Sequence, residues 1–444
     1  MGDYFVQPRL EALVLICEAL IHGPPSAASS NRVLTLIRAE LGNAKPFPII
    51  YAKLFFFYIV SARVSGTVCD DSETVVIGQL INRLDQTSPA TANLKLFYIC
   101  TLLAFMLADG KTRSSRQHLR TLQSEVQALS KDGTCMQAGI RWMDTVPLTV
   151  FACLMTIVNS ALQCNYERAA KYYTIAMRHI QDYNARKAKV LQASRNPCEY
   201  GILRSVQRMR MALNEMMAQC NIMACHPSMA MDNGHYCSYL RESEAAEKHF
   251  IAASKFKSCK DKNVWVMTHV NLAITYLAQC KHAEFYEIAD QLTPNRISSC
   301  SLIVRSNAQF LHAFHAYLLN KIAECRTLIA ECMETAKMED LFRLHGLSVL
   351  LFSIFVPVNA EVILPTLDWS KKGHDHSLHC WSNNTMARVL ASHGMDNSVY
   401  IEAARKEMAL LDEGVIRAEH QTNPSAALVQ WFEGDPTAYL PKDD

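Results

Sequence analysis

Asn165-Tyr166-Glu167-Arg168-Ala169-Ala170-Lys171-Tyr172-Tyr173, followed by Ala176, is the stretch that decides the fold. A small residue, a bulky one four later and a small one three after that fall at Ala169, Tyr173 and Ala176. Offsets of four and seven place all three side chains on one face of a helix. The small residues let a neighbouring helix approach closely, and the bulky one fills the groove between the two.

The same trio recurs at Ala246, Phe250, Ala253 and at Cys325, Ile329, Cys332. From Ala246 to Cys325 is 79 residues, or two steps of about 40. One step from Ala246 lands at Phe285, in the helix after Leu272-Ala273-x-x-Tyr276. Two further steps from Cys325 land at Ala404, which heads Ala404, Met408, Leu411; near 365 the intervening unit carries Pro365 and is degenerate. A unit of this length holding two helices is a tetratricopeptide-like (TPR) or HEAT-like hairpin. Asn165 to Tyr173 resembles the turn and second helix of a TPR, and Leu272-Ala273-x-x-Tyr276 resembles its first helix. The expected fold class is therefore all-α, a TPR-like helical-repeat superhelix (α-solenoid).

Composition agrees. Among 444 residues there are 15 Gly and 15 Pro, about 7% together, against roughly 12% in an average globular chain. That scarcity disfavours turn-rich β folds and favours long helices joined by short turns. Half the residues are apolar and 19% charged, enough apolar surface for a large core. Sixteen cysteines lie singly with no framework spacing, which reads as reduced, buried thiols in an intracellular chain without a secretory leader. The runs Leu96–Ala108 and Val146–Leu162 are short or interrupted for a bilayer span and read as buried helices; no membrane association is expected.

Residues 1–145 read as degenerate helical repeats, 146–424 as the repeat array and 425–444 as a C-terminal tail. In the first part, helices are expected over Leu10–Ile21, Ala52–Val64, Leu94–Leu107 and Arg116–Leu129. Arg186–Tyr200 and Pro227–Gly234 read as irregular connections.

Gly373-His374-Asp375-His376-Ser377-Leu378-His379-Cys380 holds the right ligand types for a metal, but four ligands on one short stretch rarely surround zinc tetrahedrally. A loop running into a helix is the simpler reading. Cys220, Cys225 and His226 offer no Cys-x-x-Cys spacing, and Asp70-Asp71-Ser72-Glu73 lacks the second acidic cluster that a magnesium–diphosphate enzyme needs. Phosphate-loop, nucleophile-elbow and zinc-protease motifs do not occur. The expectation is a non-catalytic protein without cofactor or metal; a metal-dependent all-α enzyme built around His374 and His376 is the reading from the other class.

Net charge is +2, so bulk charge does not hold nucleic acid, and weak or no direct DNA binding is expected. One basic strip stands out: Arg178, Arg186, Lys187, Lys189, Arg195, Arg204, Arg208 and Arg210, opposed by Asp182 and Glu199, give +6 over 33 residues. It is a candidate contact for an acidic partner or a phosphate backbone, against the alternative of a solvated helix face.

From about Val146 onward the chain resembles the MAU-2 chromatid cohesion factor family, the TPR subunit of the cohesin loader. The resemblance rests on Val264-Trp265-Val266-x4-Asn271-Leu272-Ala273-x2-Tyr276, on the junction Met338-Glu339-Asp340-Leu341-x-Arg343-Leu344, on Cys380-Trp381-Ser382 with Glu402-Ala403-Ala404, and on Trp431-Phe432-Glu433-Gly434. It implies a non-catalytic scaffold that wraps the N-terminal segment of a large HEAT-repeat partner of the Nipped-B type. Contact with cohesin and chromatin would then be indirect, in sister chromatid cohesion and chromosome segregation, with a nuclear and also a cytoplasmic location. Family members carry further N-terminal repeats, so the resemblance also implies an array shortened at its start. A TPR adaptor of a ubiquitin ligase or transport complex is the alternative with the same fold.

Overall fold

The computed structural model describes residues 5–22, 27–64, 71–85, 88–132, 145–193, 197–223, 243–254 and 262–420. All regular structure among them is helical, in eighteen α-helices. The chain divides into two compact units: residues 1–106, 115–155 and 174–211 form the first, and 107–114, 156–173 and 212–444 the second.

In the first unit α1 (Val6–His22), α2 (Ala27–Ala44) and α3 (Pro48–Val64) pack on one another, and α4 (Asp71–Asn82) packs on α3. Phe56 and Phe57 of α3 are buried, with the ring of Phe97 from α5 (Pro89–Ala108) 4.6 Å from that of Phe56. Burying one such ring contributes about 1.5–3 kcal/mol. α6 spans Thr112–Asp132. Helices α2 and α4 were not among the expected ones: Asn31 to Ala44 and Ser72 to Asn82 carry too many polar residues to show an apolar run. α5 and α7 (Thr145–Leu162) are long and apolar enough by composition to cross a membrane, yet 50% and 61% of their apolar windows are buried inside the protein.

α8 runs Tyr166–Ala193 and α9 runs Pro197–Met223. The expected irregular connection over 186–200 is thus helical over 186–193 and 197–200, because Arg186 to Ala193 are good helix formers with no breaker among them, while 194–196 lie outside the described residues. The connection expected over 227–234 lies outside the described residues.

The second unit is a regular series: α10 (Ser243–Ser254), α11 (Lys262–Ala278), α12 (His282–Ala289, extended by a 3₁₀ turn at Asp290–Leu292), α13 (Leu302–Leu318), α14 (Ile322–Met338), α15 (Phe342–Phe352), α16 (Ala360–Lys372), α17 (His376–Ser392) and α18 (Ser398–His420). A shared turn joins these helices. Cys164, Cys280, Asn320, Asp340 and His374 have φ between 51° and 58°, and Gly394 has φ 68°. After each of them the next amide reaches back five residues: Asn165 N–H to Ser160 O, Lys281 to Tyr276, Lys321 to Ala316, Leu341 to Ala336, Asp375 to Ser370 and Met395 to Leu390, at 2.8–3.0 Å. This is the Schellman closure, which satisfies carbonyls left open at a helix C-terminus. Using Cys, Asn, Asp and His where Gly usually sits contributes to the low glycine content, at a conformational cost of about 1–2 kcal/mol per residue.

Tight spacing sets the packing. A Cβ on Gly346 of α15 would lie 2.7 Å from Thr366 Cγ2 of α16, so only glycine allows those two helices their closest approach. Pro365 sits inside α16, where buried Ile363, Thr366 and Ser370 take the core face, so the degenerate unit is still a helix pair.

Candidate partner-binding face

The odd-numbered helices of the second unit form a layer. α15 packs on α14 and α16, and α17 on α16 and α18, while α11 touches α13, α13 touches α15, and α15 touches α17. A helix held by its sequence neighbours and by the next odd helix keeps one side open. Among the residues left exposed on this layer are Val264 (50%) and Ile274 (51%) of α11, Arg305 and Leu318 (52%) of α13, Arg343 of α15, and Ser377, Asn384 and Arg388 of α17. Gln309 and His312 of α13 are half-buried beside them. Large apolar side chains are exposed on α11 and at the end of α13, and one exposed arginine lies on each of α13, α15 and α17.

Two of its arginines, Arg343 and Arg388, are held in place. Arg388 Nη2 donates to Ser353 O at 3.0 Å and Ser353 Oγ at 3.1 Å. Arg343 Nε donates to Asp375 Oδ2 at 2.7 Å, and Asp375 Oδ1 accepts the Leu378 N–H at 3.0 Å, capping α17. The Trp265 ring stacks on His269, centroids 3.8 Å apart, and Phe342 stacks on Trp369 at 4.6 Å. An anchored guanidinium loses little freedom on meeting a carboxylate, which suits it to recognition.

The predicted packing residues fall largely on buried faces. Ala169, Ala176, Ala246, Phe250, Leu272, Ala273, Tyr276, Cys325, Ile329, Cys332 and Ala404 are all buried. Tyr173 is half-buried and donates to Asn214 Oδ1 at 3.0 Å. Ala253 is exposed, in the last turn of α10. In the basic strip Arg186, Arg204, Arg208 and Arg210 are exposed; the side chains of Lys187 and Lys189 lie outside the described residues.

Each member of the 374–380 segment has a structural partner. His374 occupies the left-handed turn with its ring edge-on to Tyr166, Asp375 is the cap, and His376 Nδ1 lies 2.6 Å from Glu407 Oε2. His379 Nδ1 meets Ser370 Oγ at 2.9 Å, and the Cys380 thiol donates to Ala404 O at 3.5 Å. Among the described residues no group of three His, Cys, Asp or Glu could hold a metal ion. Burial pushes the Cys220 thiol up to about 11; Cys225, His226 and Asp70 lie outside the described residues.

No family model matches the chain. The chain does match maternal uncoordinated protein 2 of Caenorhabditis elegans, 31% identical over an alignment of 523 positions that takes in all of this chain and 86% of the worm protein. The chain belongs to the MAU2 chromatid cohesion factor family. MAU2 homologs of Drosophila simulans and Drosophila melanogaster are 22% identical over 395 residues, 81% of this chain and 61% of each fly protein. This MAU2-family chain thus spans about three fifths of the length of the fly relatives. The worm match extends over the first 145 residues, which the motif resemblance did not reach. The exposed arginines of the layer escaped the sequence reading because only packing shows which positions of α13, α15 and α17 stay open. The junction motif around Arg343 was visible, but its partner Asp375 is 32 residues away.

Proposed function

We propose that this MAU2-family chain is a non-catalytic scaffold of cohesin loading, acting in sister chromatid cohesion and chromosome segregation from the nucleus. It would hold an extended segment of a large HEAT-repeat partner of the Nipped-B type along the open face of the odd-numbered helices. The observation that carries this reading is the unbroken layer α11–α13–α15–α17, since stacked helix pairs present a long surface to a segment with little structure of its own. The apolar end at Val264 and Ile274 would take apolar side chains, and Arg305 and Arg388 would take acidic ones.

The test is co-purification of the full chain with the N-terminal region of the Nipped-B type protein from the same organism. Binding by the folded wild-type chain, and a loss of about tenfold or more in V264D/I274D or R305E/R388E, is expected. A folded chain that fails to bind that region overturns the assignment. Capture of ubiquitin-ligase or transport subunits in its place would favour the other adaptor reading.

A further inference from the structure

The basic strip is one run in the sequence but not one surface in the fold. On α9, Arg204, Arg208, Met211 and Glu215 are spaced by four, three and four residues and share the exposed face. Arg210 is two residues beyond Arg208, roughly 200° around the same helix. Across the pair, Gln207 Nε2 donates to Asn184 Oδ1 at 3.2 Å and Tyr173 Oη to Asn214 Oδ1 at 3.0 Å. These two bonds fix α8 antiparallel to α9 and bring exposed Arg178 level with Met211 within about a turn. Arg186 is eight residues further along α8, roughly 80° away from Arg178 around the axis.

Met211 is 71% exposed, a large apolar side chain in water framed by Arg204 and Arg208 on its own helix and Arg178 on the next. None of the three arginines pairs with a carboxylate among the described residues. Methionine adapts its shape to an incoming apolar group, and arginine and methionine are both enriched in protein interfaces. Near-neutral net charge, with 44 basic against 42 acidic residues, supplies no long-range attraction for a polyanion.

We infer that Arg204, Arg208, Met211 and Arg178 form a docking patch for an acidic peptide that carries a central apolar side chain. Carboxylates of the peptide meet the three guanidinium groups, and its apolar residue lies on Met211. The patch is built from residues of the first unit and the odd-helix face from residues of the second, so either can fail without the other.

Fluorescence anisotropy on the full chain tests this with a labelled acidic peptide bearing one central Leu. The same peptide with Leu→Ser and a 20-base-pair duplex DNA are run beside it. R204E/R208E is expected to weaken the Leu peptide about tenfold and to flatten its salt dependence. M211S is expected to weaken it several-fold with the salt dependence kept, and to abolish the preference for Leu over Ser. R186E/R210E changes the net charge equally but sits on other faces, and should leave the affinity within about twofold. All these positions are exposed, so melting curves should stay at the wild-type value. Equal loss in both charge-reversal pairs, no peptide binding at all, or duplex DNA bound in preference to the peptide would each overturn the patch.

Discussion

Arg343 Nε donates to Asp375 Oδ2 across 32 residues, tying the first turn of α15 to the cap of α17. The pair is lopsided: Asp375 is 3% exposed and Arg343 46%. Arg343 can recover water when left alone, whereas Asp375 cannot. Arg343→Met should therefore destabilise by about 2–3 kcal/mol, somewhat below the figure for a fully buried pair. Asp375→Asn keeps a capping side chain and removes the stranded charge, so R343M/D375N should be more stable than R343M. Urea unfolding of the four proteins measures this. A double variant no more stable than R343M would mean that the pair does not carry the junction.

Cys280 is exposed and holds φ 58° in the turn after α11. Replacing it with Gly relieves the left-handed strain and gives back part of the gain through the freer unfolded chain. Cys280→Gly should raise stability by about 0.5–1 kcal/mol, seen as a higher melting temperature. Cys280→Val should lower it, because a β-branched residue tolerates that conformation worst. Equal melting temperatures for the two would argue that the turn is not locked in the Schellman geometry.

Ala246 and Ala169 are fully buried on faces where another helix comes close. Ala246→Trp or Ala169→Trp should each destabilise by about 1–3 kcal/mol or more, since a close contact cannot accept a large ring. Exposed Ala253 serves as the control, and Ala253→Trp should cost far less. Calorimetry on the three variants decides it. Unchanged melting in both buried variants would mean that the small residues do not mark the helix contacts.

The helix faces were legible because small–bulky–small spacing is a local pattern, set within two turns of one helix. Cys325, Ile329 and Cys332 could be assigned to the core from spacing alone, and all three are fully buried. The turns were less legible: Cys164, Cys280 and His374 take a backbone conformation that sequence habit reserves for Gly or Asn, so nothing local announced them. Ala253 misled because the pattern does not say where its helix stops. The open face was not legible at all. Arg305 and Arg388 differ from other surface arginines only in lying on helices walled in on their remaining sides, which is a property of the stack.

The second unit also keeps histidines uncharged. Burial holds His269, His315 and His345 below the ordinary imidazole value. His269 Nδ1 donates to Trp265 O at 2.8 Å, whereas His315 Nε2 and His345 Nδ1 have no hydrogen-bond partner among the described residues. Aromatic rings lie against both: Phe285 is 4.4 Å from His315 and Trp369 5.4 Å from His345, and nearby cations, Lys321 for His315 and Lys337 for His345, add to the effect of burial. As pH falls, the unfolded chain takes up protons at these sites first, near 6.5, and the folded chain resists until lower pH. Their contribution to stability is therefore intact above about pH 6.5 and declines below it. The melting temperature should be lower at pH 5.5 than at pH 7.5, a range in which most carboxylates stay ionised. His345→Phe, which fills the same site without a titrating group, should reduce that difference. A melting temperature independent of pH over this range, or a difference that H345F leaves unchanged, would contradict the assignment of buried neutral imidazoles.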